Sequence, residues 1–149
     1  MKKILVAIDF SAGSAQALHY ALKFARQFGS DLLLLHVIHD PAEAPGFYSS
    51  RKAGEPVFSN MEEAASAMMD DFVAEHLQEW KKFEVRIIPG LPADEIVRTA
   101  EKEKAEMIVM GTSGHRGLKR LMIGSVAESV IRASACPVLA VRSQGGSSQ

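Results

Sequence analysis

Five short stretches of the chain are almost uniformly apolar, at residues 4–8, 32–38, 85–88, 107–110 and 138–141. Each has the length of a β-strand. Continuous rather than alternating apolar character is what a strand needs when helices cover both faces of its sheet. Between the stretches the pattern changes to a helical period. Ala15, Leu18, Leu22 and Ala25 recur at that spacing, Ser11 or Ser14 is placed to cap the start, and Gly29 follows the end. Met61, Ala64, Ala65, Met68, Phe72 and Val73 form a second stripe running towards Trp80, which reads as core packing rather than a cofactor box. A third helix starts at about Pro92, a residue suited to a first turn, and carries Ile96, Val97 and Ala100. A fourth starts near Ser125 and is expected to bury Val126, Val130 and Ile131. Strand and helix thus alternate from end to end, and right-handed crossovers make this an α/β fold, an open doubly wound five-stranded parallel sheet with helices on both faces.

Two segments fall outside that frame. Residues 39–60 are rich in Pro, Gly, Ser and charge and exceed a usual strand-to-helix connection, so they read as either a functional lid or a mobile loop. Residues 144–149 have nothing to bury and read as a flexible tail. Residues 1–143 are therefore expected to form one domain, in keeping with a chain of 149 residues.

Composition narrows the function. With 47% apolar and 23% charged residues, the chain is ordinary globular protein, not collagen-like, coiled-coil or disordered. Seventeen basic against eighteen acidic residues give a net charge of −1, so neither nucleic acid nor an anionic membrane is an expected partner. Any anion site has to be local. Cys136 is the only cysteine, which excludes an intrachain disulfide and a thiolate-rich zinc site and fits a reducing cytoplasm. Asp9 ends the first apolar run too early for a signal peptide, and no run approaches the roughly 20 residues that span a bilayer. A soluble, cytoplasmic protein is expected.

In an open parallel sheet, ligands bind beyond the carboxyl ends of the strands where the strand order reverses. The residues at those ends are Asp9, then Val37 to His39, and above all Gly111-Thr-Ser-Gly114-His-Arg-Gly117. Glycines there let backbone N–H groups approach an anion, and Gly124-Ser125 adds a helix start whose unpaired N–H groups favour negative charge. His115, Arg116, Lys119 and Arg120 lie between the two glycine elements, a charge pattern suited to a polyphosphate. Ser125 and Glu128 also have the spacing of a capping box, so a plain helix cap competes with, and is compatible with, phosphate binding.

The whole pattern, Gly111-x2-Gly114-x9-Gly124-Ser125 after an apolar strand, resembles the ATP-binding branch of the universal stress protein family. The resemblance covers almost the entire chain, including Ile4-Leu-Val-Ala-Ile-Asp9-Phe-Ser11, Leu35-His36-Val37 and Cys136-Pro137-Val138-Leu139-Ala140-Val141. It implies the strand order 3-2-1-4-5 and a bound ATP, with Mg or Mn on its phosphates. Ala7, Ile8 and Asp9 would line the nucleotide, with Asp9 near the ribose or the phosphate-bound metal. Val37 would contact the adenine, Met110 and Gly111 would pass under the nucleoside, and Gly114, His115, Arg116, Gly124, Ser125 and Val126 would hold the phosphates. With that order the fifth run is a sheet edge without lysine or internal proline, so a homodimer is expected in which residues 138–141 pair antiparallel across a twofold axis.

Rival readings lack their residues. The dinucleotide fingerprint Gly-x-Gly-x-x-Gly does not follow the first run, the P-loop is absent, and Pro89-Gly90-Leu91-Pro92 offers no phosphoacceptor aspartate. His36 and His39, three apart on a strand, project to opposite faces and make a poor metal pair. His19 and His76 read as surface residues and Cys136 as a packed thiol. With no evident general base or nucleophile, a regulatory nucleotide-binding module is favoured over the alternative, a slow adenine-nucleotide hydrolase or transferase.

Overall fold

Each apolar run supplies a strand: β1 (Lys3–Ala7), β2 (Asp31–Ile38), β3 (Phe83–Pro89), β4 (Met107–Gly111) and β5 (Val138–Val141). The helices are α1 (Ala12–Phe28), α2 (Val57–His76), α3 (Pro92–Glu103) and α4 (Ser125–Ala133). The computed structural model describes residues 1–39, 57–113 and 123–143, with residues 57–60 described by backbone alone. Residues 40–56, most of the expected lid or loop, and the expected tail at 144–149 lie outside the described residues.

All four strand pairings are parallel and the order is β3-β2-β1-β4-β5, as the resemblance implies. Side chains alternate across the sheet. Ile4, Val6, Leu32, Leu34 and Val109 pack with α1 and α2, whereas Leu5, Leu33, Leu35, Ile108 and Met110 pack with α3 and α4. Both faces are covered, which explains why the central runs are continuously apolar. The chain reverses direction of winding beside β1, so the crevice of the fold opens at the carboxyl ends of β1 and β4.

Local signals hold at both ends of α1. Ser11 is the N-cap, its Oγ accepting the Ser14 N–H at 3.1 Å, and Gly29 closes the helix at φ 67°. Pro92 stands at the start of α3 as expected.

Three expectations shift. β3 is not continuously apolar: Glu84, Val85 and Pro89 are exposed, because β3 is an edge strand. On α2 the line of buried residues is Met61, Ala65, Met69 and Phe72, since helical spacing from Ala65 leads to Met69 and leaves Met68 half-buried. On α4, Ala127 and Val130 face the sheet, while Val126 and Ile131 flank them and Ile131 is exposed.

Candidate functional site

The β1–α1 corner is built around one carboxylate. Beyond the end of β1 the Ile8 N–H still donates to the Leu35 carbonyl at 2.8 Å. Asp9 Oδ1 then accepts the Ser11 N–H at 3.0 Å and the Ser11 hydroxyl as well. The same hydroxyl oxygen caps α1, so the carboxylate and the helix start are fixed by one side chain. Phe10, caught inside this turn, adopts φ 66°. For a bulky L-residue that conformation costs about 1–3 kcal/mol and persists only where the surroundings over-determine it. The Phe10 ring is held between His36, with centroids 4.5 Å apart, and Phe72, at 5.9 Å.

The end of β4 meets this corner through two glycines. A Cβ on Gly111 would lie 3.0 Å from the Gly13 carbonyl carbon and 3.1 Å from its oxygen, and a Cβ on Gly13 would lie 2.8 Å from the Ser113 oxygen. The missing side chain of Gly111 therefore admits the first turn of α1. This gives Gly111 a packing reason to be glycine beside the anion approach expected from sequence. Past Gly111, the Thr112 N–H donates to the Val141 carbonyl at 3.0 Å and the Thr112 carbonyl accepts the Gly124 N–H at 2.6 Å. Thr112 thereby ties the start of α4 to the ends of β4 and β5.

The capping box expected at the start of α4 does not form. Gly124, buried, is the N-cap, Ser125 is the exposed first helical residue, and Glu128 Oε2 instead accepts from Arg132 Nη2 at 3.1 Å. The bond from Gly124 to Thr112 starts the helix one residue earlier than the spacing suggests. Among the described residues, no side chain caps the first turn of α4, the end of a helix that favours negative charge.

Of the residues singled out from sequence, Val37 and Met110 are buried in the cluster on the α3/α4 face, and Ala7 and Val126 pack against that same cluster. These four come from β1, β2, β4 and α4 and converge at the carboxyl end of the sheet. Ile8 is buried on the opposite face with α1 and α2, and its backbone N–H and carbonyl are bonded to Leu35 and His36. Asp9, Gly111, Gly124 and Ser125 border the same end of the sheet. Gly114, His115 and Arg116 lie outside the described residues. Sequence reasoning had Ser11 as a helix cap but missed its hold on Asp9, and it missed Phe10, Gly13, Thr112 and His36 as builders of the site. Only the Asp9–Ser11 contact carried a local signal, in the Asp9-x-Ser11 spacing of a side-chain turn.

Among the described residues no three His, Cys, Asp or Glu side chains cluster as a metal site. The His36 imidazole, 3% exposed, is turned to the Ile8 carbonyl. No described helix is long and apolar enough to cross a membrane.

The sequence profile of the universal stress protein family matches residues 1–142. Universal stress protein MJ0531 of Methanocaldococcus jannaschii is 36% identical over 142 residues, which cover 95% of this chain and 82% of that protein. The solved structure of MJ0577, from the same organism, superposes with a TM-score of 0.76 at 32% identity, covering 94% of each chain. A universal stress protein from Archaeoglobus fulgidus, solved in complex with dAMP, has a TM-score of 0.61 at 25% identity and covers 95% of this chain and 98% of that one.

Proposed function

The chain belongs to the universal stress protein family, and from that premise we propose that it binds an adenine nucleotide, ATP in preference to NAD, in the crevice at the carboxyl ends of β1, β2 and β4. The observation that carries this reading is the convergence of an apolar floor, a fixed carboxylate and a helix start that no described side chain caps, at one end of the sheet. The adenine packs on Val37, Met110 and Ala7. Asp9 serves the ribose or a magnesium or manganese ion arriving with the phosphates. The first-turn N–H groups of α4 at Ser125 and Val126, with Gly124 keeping the approach free of a side chain, take the phosphates, together with Gly114, His115 and Arg116 of the Gly-x2-Gly-x9-Gly-Ser pattern. The similar protein solved with dAMP supports an adenine nucleotide as the ligand class.

The bound state itself is the signal. The sequence carries no P-loop lysine, which favours a regulatory module over an ATPase of that class. Such a module acts as a homodimer joined along β5, the apolar edge of the sheet. The test is calorimetry on the purified protein with Mg-ATP and with NAD, alongside identification of any small molecule released on denaturation. Binding of Mg-ATP and not NAD supports the reading, and an absence of adenine-nucleotide binding by folded protein defeats it.

A further inference from the structure

His36 is the one buried imidazole among the described residues, and nucleotide binding as outlined above does not use it. The β1–β2 register ends at Ala7 opposite Leu35, and the Ile8 N–H makes one more bond, to the Leu35 carbonyl. The carbonyl of Ile8 is then met by His36 Nδ1 at 2.7 Å. A carbonyl oxygen only accepts, so Nδ1 carries the proton and donates. Ile8 is thus held on both sides by successive residues of β2, its N–H by the Leu35 backbone and its carbonyl by the His36 side chain.

The carbonyl that His36 holds belongs to the peptide from which Asp9 springs. The peptide group is planar, so fixing the Ile8 carbonyl also fixes the N–H of Asp9 and the direction in which its Cα leaves the strand. The next residue, Phe10, holds its positive φ with its ring 4.5 Å from the imidazole. His36 therefore touches the corner twice, before and after Asp9. We propose that His36 is a positioning residue for Asp9, setting the carboxylate's approach to the nucleotide through the Ile8 carbonyl and the Phe10 ring. This rests on the reading that Asp9 contacts the ribose or the phosphate-bound cation.

The test compares Mg-ATP affinity across four folded proteins: wild type, Asp9→Asn, His36→Phe and the double variant. Phenylalanine keeps a ring against Phe10 and removes the donor to Ile8. His36→Phe is expected to weaken Mg-ATP binding by about fivefold, the scale of one lost hydrogen bond. In the Asp9→Asn background the same change is expected to add nothing further, because the carboxylate through which it acts is already gone. His36→Asn, whose amide nitrogen reaches the Nδ1 position, is expected to recover most of the affinity. Where His36→Phe does not fold, His36→Gln, with its donor one bond too far out, takes its place under the same expectation. Unchanged affinity in the histidine variant, or an equal loss with and without Asp9, overturns the proposal and leaves His36 a structural residue. Unchanged affinity in Asp9→Asn alone overturns instead the reading on which it rests.

Discussion

Glu103 lies between cations from two strands. Its Oε2 accepts from Arg86 Nη1 at 2.7 Å and its Oε1 from Lys3 Nζ at 3.3 Å, while Arg86 Nη2 reaches Glu84 at 2.6 Å. The hydrogen bond from Arg86, then that from Lys3, hold the Glu103 carboxyl below its ordinary range. A carboxyl depressed in the folded state stabilises the fold above its unfolded value, and that contribution disappears as pH falls through the lowered one. Thermal melts from neutral pH down to about 3 are therefore expected to show a steeper acid loss in wild type than in Glu103→Gln. Parallel acid profiles would show that the cluster contributes nothing measurable. The second residue-scale prediction concerns Gly13. Its Cβ would meet backbone rather than a yielding side chain, so Gly13→Ala is expected to cost about 1–3 kcal/mol in chemical denaturation. Sequence alone could not expose this, because the partner atoms belong to Gly111 and Ser113, distant in the chain.

At the scale of elements, strands and helices were legible wherever one physical cause dominated. The runs at β1, β2 and β4 are apolar because both faces are covered, and Ser11, Gly29 and Pro92 mark helix ends through local geometry. What escaped depended on long-range partners. The Ser125–Glu128 spacing was sound as a local pattern, but the hydrogen bond from Gly124 to Thr112 decided where α4 begins. Likewise the convergence of Ala7, Val37, Met110 and Val126 follows from the sheet order, which the resemblance supplied and periodicity did not. This geometry separates two roles for the start of α4. Ser125→Ala removes no cap, so it is expected to change folding stability by less than about 0.5 kcal/mol, where loss of a true N-cap costs about 1. Gly124→Trp, by contrast, is expected to abolish Mg-ATP binding, read by calorimetry, while far-ultraviolet circular dichroism stays that of the wild type. Equal affinity in folded Gly124→Trp would remove the phosphates from this helix.

The whole molecule ends in two unlike edges. β3 carries Glu84 and Arg86, joined as an ion pair, and finishes at Pro89, features that deter pairing with another chain. β5 is Val-Leu-Ala-Val, with Val138, Leu139 and Ala140 only half-buried. Its hydrogen bonds have a definite sense. The Pro137 carbonyl accepts from Ile108 and the Val141 carbonyl from Thr112, so alternate residues face β4, and the N–H and C=O of Val138 and Ala140 point to the open edge. Two such edges paired antiparallel about a twofold axis satisfy these groups through the same patch on each subunit. Ile131, on the helix just before β5, is exposed as well. Ala140→Pro removes an outward donor and leaves the β4–β5 ladder intact, so it tests the edge without dismantling the sheet. Light scattering at micromolar concentration is expected to give a dimer for the wild type and a monomer for Ala140→Pro, with Mg-ATP affinity retained because Ala140 lies outside the crevice. A monomeric wild type would refute the β5 pairing, and a dimeric Ala140→Pro would move the interface to another face.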